Sequence, residues 1–144
     1  MLDFRSHREE ILDTDALNAM LDESPARAAQ AILLAARAGL LDAQALLGQI
    51  LLEGRGIARD QSLAVRWFGI AAQGGHLMAR NMLGRCHEHG WGCTADAAIA
   101  ARHYRQAAEG GLANAQYRLG SRYLRGEGVV QDYRQAIAWL DRKS

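Results

Sequence analysis

The stretch CHEHGWGC, residues 86–93, holds the side chains of this sequence that are best suited to chemistry. Cys86, His87, His89 and Cys93 are all plausible zinc ligands by type, and the two cysteines could instead form a disulfide. In the repeat register described below, His87 takes a packed position, His89 a variable surface position and Cys93 a loop position. These side chains should therefore point in different directions. We expect no metal and no catalytic residue here. A small metal- or thiol-dependent enzyme centred on Cys86 and Cys93 is kept as an alternative.

Three GxG sequences, at residues 54–56, 90–92 and 126–128, invite comparison with phosphate-binding loops. They follow helical patterns instead of strands, and they recur in every repeat, which is typical of a structural turn. No Ser–His–Asp or Cys–His arrangement can be assigned from spacing. We therefore expect no nucleotide, no cofactor and no enzymatic activity.

The composition is that of an ordinary globular domain, with 144 residues, 49% apolar, 23% charged and a single proline. A net charge of +1 gives no global reason to expect nucleic acid or a membrane. The start MLDFRSHREE lacks the pattern of a signal peptide, and the interrupted apolar run 28–41 is too short to span a bilayer. With two cysteines and no secretory signal, a cytoplasmic protein is expected.

Charge is distributed unevenly along the chain. Residues 1–42 hold eight acids and four arginines, a net of −4, whereas residues 115–144 hold six bases and three acids, a net of +3. Of the 17 basic residues only Lys143 is a lysine, so cationic contacts will be guanidinium contacts, suited to paired hydrogen bonds with carboxylate or phosphate.

A repeat of 36 residues aligns segments that begin at Ala43, Ala79 and Ala115 without a gap, and it organises most of the chain. So many coincidences in one register indicate a repeated structural unit. Seven positions carry the same residue in all three segments: Ala43/Ala79/Ala115, Leu47/Leu83/Leu119, Gly48/Gly84/Gly120, Gly54/Gly90/Gly126, Gly56/Gly92/Gly128, Asp60/Asp96/Asp132 and Ala64/Ala100/Ala136.

Each repeat reads as a pair of helices, which we name helix A and helix B. In the first repeat, helix A covers residues 43–53 and ends at Gly54, which can adopt the left-handed conformation. Asp60 is the predicted N-cap of helix B, which ends at residues 74–75. Trp67 and Trp139 share a helix-B position with His103, where core packing is expected.

The register also extends towards the N-terminus. Ser24 falls at the N-cap position and Pro25 at the first helical position, so residues 24–38 read as a helix B whose partner, roughly residues 7–22, forms an acidic cap. We predict a single domain over 1–144, composed of a capping helix (1–23), a degenerate repeat (24–42), repeats over 43–78 and 79–114, and a truncated repeat over 115–144.

The segments ALLGQILLEGRGIARDQSLAVRWFGIAAQGG and YRLGSRYLRGEGVVQDYRQAIAWL carry the pattern LGxxxxxGxGxxxD at this period. Over residues 24–144 the chain resembles the Sel-1-like repeat family, relatives of the tetratricopeptide repeats. It departs from the family at His87, which is usually aromatic, and in the missing AAxxG of the last repeat. The predicted fold is all-α, a right-handed α-solenoid of about eight helices in stacked antiparallel pairs. The resemblance implies an adaptor that binds other proteins.

By analogy with the related repeats, helix A lines the concave face, and the side of helix A opposite Leu47, Gly48 and Leu51 faces the groove. On that side, the first repeat has few polar side chains, whereas the next two repeats have several. To these we add Trp91, which replaces Arg55 and Glu127 and marks either a contact site or loop packing. The candidate partner-binding residues are Asn81, Arg85, Glu88, His89, Trp91, Tyr117, Arg118, Ser121, Arg122 and Arg125.

Two functional hypotheses follow, both of an interaction protein. In the first, Arg85, Arg118 and Arg122, with Asn81 and Tyr117, bind an acidic or C-terminal peptide of another protein, the alternative being a merely solvated face. In the second, the basic, uncapped C-terminal end stacks on the acidic N-terminal end of another copy.

Overall fold

The computed structural model describes residues 14–142, in which we find eight α-helices and no strand. The helices are α1 Thr14–Glu23, α2 Pro25–Arg37, α3 Leu41–Glu53, α4 Gln61–Gln73, α5 Leu77–His89, α6 Ala97–Glu109, α7 Ala113–Arg125 and α8 Tyr133–Leu140. The predicted all-α class is confirmed. Of the capping helix predicted over 7–22, the first part lies outside the described residues.

The three A helices (α3, α5 and α7) end as predicted but begin earlier. Each ends at a glycine with positive φ: Gly54 at 73°, Gly90 at 73° and Gly126 at 69°. Each A helix was predicted to begin at the repeated alanine, but in the structure it begins two residues earlier. The N-cap residue that precedes it, a leucine or a histidine, has an extended backbone. These earlier starts lack the Ser, Asp or Asn that usually signals a helix N-terminus.

The predicted caps of the B helices are confirmed. The side-chain carboxylates of Asp60, Asp96 and Asp132 each accept a hydrogen bond from a backbone N–H three residues later, at 3.0, 3.0 and 3.1 Å. Helix α2 starts at Pro25 with Ser24 at its N-cap position, although the Ser24 side chain forms no capping hydrogen bond.

The repeated glycine in the middle of helix A has a packing role. A Cβ built on Gly48 would come within 2.6 Å of the Phe68 ring, and one built on Gly84 within 2.5 Å of the Tyr104 ring. Both rings are completely buried. The glycine therefore lets the aromatic side chain of helix B lie directly on the backbone of helix A.

The chain forms two compact units, divided after Gly74. In the first, α1–α4 bury Leu21, Ile32, Leu47 and Phe68, and an ion pair between Asp22 of α1 and Arg55 joins the capping helix to the GxG turn.

In the second unit, α5–α8 enclose Tyr104, Leu119 and Trp139. Trp139 is 6% exposed, as core packing predicts, whereas Trp67 of the first unit is half-buried. The single domain and the repeat boundaries remain predictions.

Candidate functional site

All ten candidate partner-binding residues lie in the second unit, on α5, on α7 and in the turn that follows α5. We call this set the arginine face. Arg85, Glu88, Trp91, Arg118 and Ser121 are half-buried. His89, Tyr117 and Arg125 are exposed, whereas Asn81 and Arg122 are only 3% and 9% exposed. Fewer residues are therefore accessible to a partner than the ten that the sequence predicts.

Arg122 is held under this surface by two carboxylates. Its guanidinium forms ion pairs with Glu88, at the end of α5, and with Glu127, in the turn after α7, the second at 2.5 Å. Tyr104 of α6 donates its hydroxyl hydrogen to Glu88 Oε1 at 2.9 Å. Arg122 is thus neutralised where it lies, and it ties α5, α6 and α7 together.

The repeat register shows how this cluster of α5, α6 and α7 differs from the residues one repeat earlier. The positions of Glu88, Tyr104 and Arg122 are held there by Leu52, Phe68 and the buried Cys86. Two apolar side chains and a thiol are thus replaced by three polar side chains. Sequence reasoning missed Tyr104, although the change from Phe to Tyr beside Glu88 was a usable signal.

Tyr104 is also surrounded by guanidinium groups. The Cζ atoms of Arg118 and Arg122 lie 5.8 and 5.6 Å from the centroid of its ring, a cation–π distance. Burial raises the pKa of the Tyr104 hydroxyl, and the charges of Arg118 and Arg85 partly oppose this. The hydroxyl therefore stays protonated at neutral pH and acts as a hydrogen-bond donor to Glu88.

Trp91, His89 and Arg85 form a second cluster on the arginine face. The His89 and Trp91 rings stack with centroids 4.5 Å apart, and Arg85 Cζ lies 5.4 Å from the Trp91 centroid. Within residues 14–142, no carboxylate lies within ion-pair distance of Arg85, and its buried Nε has no hydrogen-bond partner. Arg85 is thus positioned by an aromatic ring while its charge is left uncompensated.

The Cys–His stretch does not converge. The His87 ring stacks on His103, with centroids 5.4 Å apart, while His89 turns to Trp91. Both cysteines are free thiols, and Cys93 Sγ lies 3.6 Å from His87 Nδ1. In the part of the chain that the structure describes, no three metal-donor side chains come together.

Cys86 is poorly suited to nucleophilic chemistry. Burial, followed by the neighbouring Cys93, raises the pKa of the Cys86 thiol to about 11, and burial also raises the pKa of Cys93. Both groups are therefore thiols at neutral pH, and the thiolate is the reactive form.

Paired helices that recur every 36 residues, with a polar face on successive A helices, define a helical-repeat protein. The chain belongs to the Sel1 repeat family, whose model matches residues 41–76, 77–112 and 113–142. These matches begin where the A helices begin, at Leu41, Leu77 and Ala113. Members of the family are generally protein-interaction adaptors.

Two solved structures are similar to this chain in both sequence and fold. A protective antigen of uropathogenic Escherichia coli strains, described as an SLR fold, has a TM-score of 0.81 and 31% identity over 88% of this chain and 28% of the antigen. A Sel1 repeat protein from Oxalobacter formigenes has a TM-score of 0.75 and 30% identity over 88% of this chain and 38% of that protein. The chain thus spans well under half of either relative.

The fold is shared more widely. Cysteine rich protein B of Helicobacter pylori has a TM-score of 0.60 at 20% identity, covering 70% of this chain and 77% of that protein, which shows the fold alone. A comparison with curated proteins finds no match. No helix within residues 14–142 has the length and apolar character needed to cross a bilayer.

Proposed function

We propose that this protein is a non-catalytic adaptor that binds a partner protein through the arginine face of its second unit. The observation that carries the proposal is Arg85, a half-buried cation positioned against Trp91 with no carboxylate partner among residues 14–142. A partly desolvated charge without a counter-charge costs free energy. A ligand that supplies the opposite charge removes that cost, so such a group is expected at a binding surface. Family membership supports the same role.

The partner chemistry follows from the side chains around Arg85. Arg118 and Arg125 add positive charge, and Tyr117, which is 67% exposed, adds an aromatic surface. Tyrosine, tryptophan and arginine dominate the energetics of protein interfaces. We therefore propose an acidic segment or a C-terminal carboxylate of another protein as the ligand. The two free thiols fit a reducing compartment, and we propose the cytoplasm.

Arg122 has a different role from Arg85 and Arg118 in this proposal. It is already paired with Glu88 and Glu127, so it supports the binding surface from beneath. Removing it would disturb folding and binding together, whereas Arg85 and Arg118 can be replaced without breaking an ion pair of the described residues.

An affinity pull-down from native lysate tests the proposal with three baits. We expect wild type and an Arg27→Ala/Arg66→Ala control, which removes two exposed helix-B arginines, to capture the same protein. An Arg85→Ala/Arg118→Ala variant should lose it. If the Arg85/Arg118 variant is folded by circular dichroism and still captures that protein as well as wild type, the arginine face is not the binding surface.

A second candidate function is self-association, favoured by apolar exposure on α7 and α8. Ile137 is 62% exposed, whereas Ala101 at the same position one repeat earlier is 2% exposed. The net charges of +3 over residues 115–144 and −4 over residues 1–42 would favour contact between the two ends of different copies. A mass measured in solution at low and high salt tests this, and a monomer at both salt concentrations would exclude it.

A further inference from the structure

A groove of about 320 Å³ lies on the surface of the second unit, between α5 and α6. Arg80 of α5 forms one side, and four residues of α6 form the other: Ile99, Arg102, His103 and Gln106. Its lining is mainly carbon, and its volume is at the lower end of the range for small-ligand sites in proteins. The groove can therefore hold one planar ring system, but not a large ligand.

The repeat register shows which side chain occupies this place elsewhere in the chain. His103 stands at the position of Trp67 in the preceding repeat and of Trp139 in the last one. Trp139 is 6% exposed and Trp67 is half-buried, so an indole packs against the fold at both positions. The imidazole of His103 is a much smaller ring. The groove therefore lies where the other repeats accommodate an indole side chain.

Two residues that line the groove have the same character as the residues near Trp67 in sequence. Ile99 corresponds to Leu63, which lies one turn before Trp67 on α4, and both are branched aliphatic residues. Arg102 corresponds to Arg66, so this position holds an arginine in both repeats. Aliphatic side chains and the carbon stem of an arginine suit an indole as neighbours, and a guanidinium can stack on its face. At the groove the large ring is thus absent, while part of its surroundings is retained.

His103 contributes an uncharged aromatic ring to the groove. Burial, followed by the charges of Arg80, His87 and Arg102, lowers the pKa of His103 to about 4. The ring is therefore neutral at physiological pH, and an apolar ring can cover it without desolvating a charge. It already stacks on His87, with centroids 5.4 Å apart and planes 17° from parallel. A further planar ring in the groove would extend this stack.

We propose that this groove binds the indole side chain of a tryptophan from a partner protein, in the place that Trp67 and Trp139 fill in the other repeats. The indole contacts Ile99, stacks beside His103 and lies under the guanidinium of the exposed Arg102. A groove at the surface suits a side chain, because the backbone that carries it stays outside, and tryptophan is prominent among the residues that dominate interface energies. The groove shares no residue with the arginine face, so this proposal does not rest on that face.

The test is an NMR titration of the full ¹⁵N-labelled chain by N-acetyltryptophanamide, with N-acetylleucinamide as the apolar control and free indole as a third ligand. We expect N-acetyltryptophanamide to cause saturable shift changes centred on Ile99, Arg102, His103 and Gln106. Half-saturation should be on the order of 1 mM, because a ring of this size offers few atoms for contact. An equal response to N-acetylleucinamide, or no saturation by N-acetyltryptophanamide, would overturn the proposal. Saturation by free indole alone would also overturn it, because the groove would then accept a small molecule and not a side chain.

Matched variants complete the experiment. His103→Trp introduces the residue that both neighbouring repeats carry, and it should weaken binding of N-acetyltryptophanamide at least about tenfold, because the chain's own indole then fills the groove. Arg102→Ala alters only an exposed side chain and should weaken binding about threefold through loss of the cation–π contact. The control Ala97→Trp adds an indole at an exposed position of α6, where the last repeat carries Tyr133, and should bind like wild type. Unchanged affinity in both His103→Trp and Arg102→Ala, or an equal loss in Ala97→Trp, would refute the proposal.

Discussion

Replacing Gly84 with alanine should destabilise the second unit, although alanine is the better helix former. Alanine in a helix interior is favoured over glycine by about 1 kcal/mol. Here, however, the new Cβ would lie 2.5 Å from Tyr104 Cε1, 2.6 Å from Cδ1 and 3.0 Å from Cζ. The ring cannot move aside easily, because it is completely buried and its hydroxyl is bonded to Glu88 at 2.9 Å.

The net effect follows from these opposing contributions. Overpacking of a buried site costs about 1–3 kcal/mol, and the contact at Gly84 lies well inside van der Waals distance, so we take the upper end. Subtracting about 1 kcal/mol of helix propensity leaves a loss of about 2 kcal/mol, which lowers the Tm of a chain of this size by about 4–8 °C.

Urea unfolding followed by circular dichroism measures this loss, with Gly69→Ala as the control. Gly69 lies in the interior of α4, and a Cβ there would meet nothing within 4 Å, so this variant should gain about 0.5–1 kcal/mol. Combining Gly84→Ala with Tyr104→Leu should recover part of the loss. If Gly84→Ala proves as stable as Gly69→Ala, the close approach of helix B to Gly84 is wrong.

Three further predictions concern the cap, the buried ion pair and the histidine. Asp96→Ala should lower the free energy of unfolding by about 1 kcal/mol in urea, because the Ile99 N–H loses its acceptor; an unchanged value would remove the capping role. Arg122→Ala should cost about 2–3 kcal/mol by leaving the Glu88 carboxylate without its ion-pair partner, and Glu88→Leu/Arg122→Ile, which places the residues of the first full repeat at both positions, should recover most of that loss; equal losses in both variants would contradict this role of the ion pair. Burial lowers the pKa of His103 from 6.5 to about 4, so on acidification the unfolded chain binds a proton at this residue before the folded chain does. The free energy of unfolding should therefore fall between pH 7 and pH 5 by about 2 kcal/mol more in wild type than in His103→Trp. An equal fall in the two proteins, measured by urea unfolding at both pH values, would show that His103 is not responsible.

The helices and their caps could be predicted from the sequence because they depend on local chemistry. A glycine after helix A and an aspartate before helix B act within a few residues of their own position, and the structure has both. The helix-A starts could not be placed as well, because Leu40, His76 and Leu112 carry none of the usual start signals. At the second of them the imidazole of His76 takes the role of a cap, because its Nδ1 accepts a hydrogen bond from the Ala79 N–H at 3.1 Å.

The candidate site was harder to predict, because contacts between repeats decide which of its arginines are paired and which are available to a partner. Arg85 and Arg122 look alike in sequence, yet Arg122 pairs with Glu88 and Glu127 while Arg85 rests against Trp91. The distinction depends on which carboxylates the folded chain brings near each guanidinium.

Binding of a partner protein on the arginine face is tested most directly by mapping the captured partner on the ¹⁵N-labelled chain by NMR. We predict the largest shift changes at Arg85, Trp91, Tyr117 and Arg118, and their loss in the Arg85→Ala/Arg118→Ala variant. Changes centred on the B helices α2 and α4, with residues 85–91 and 117–125 unaffected, would contradict it.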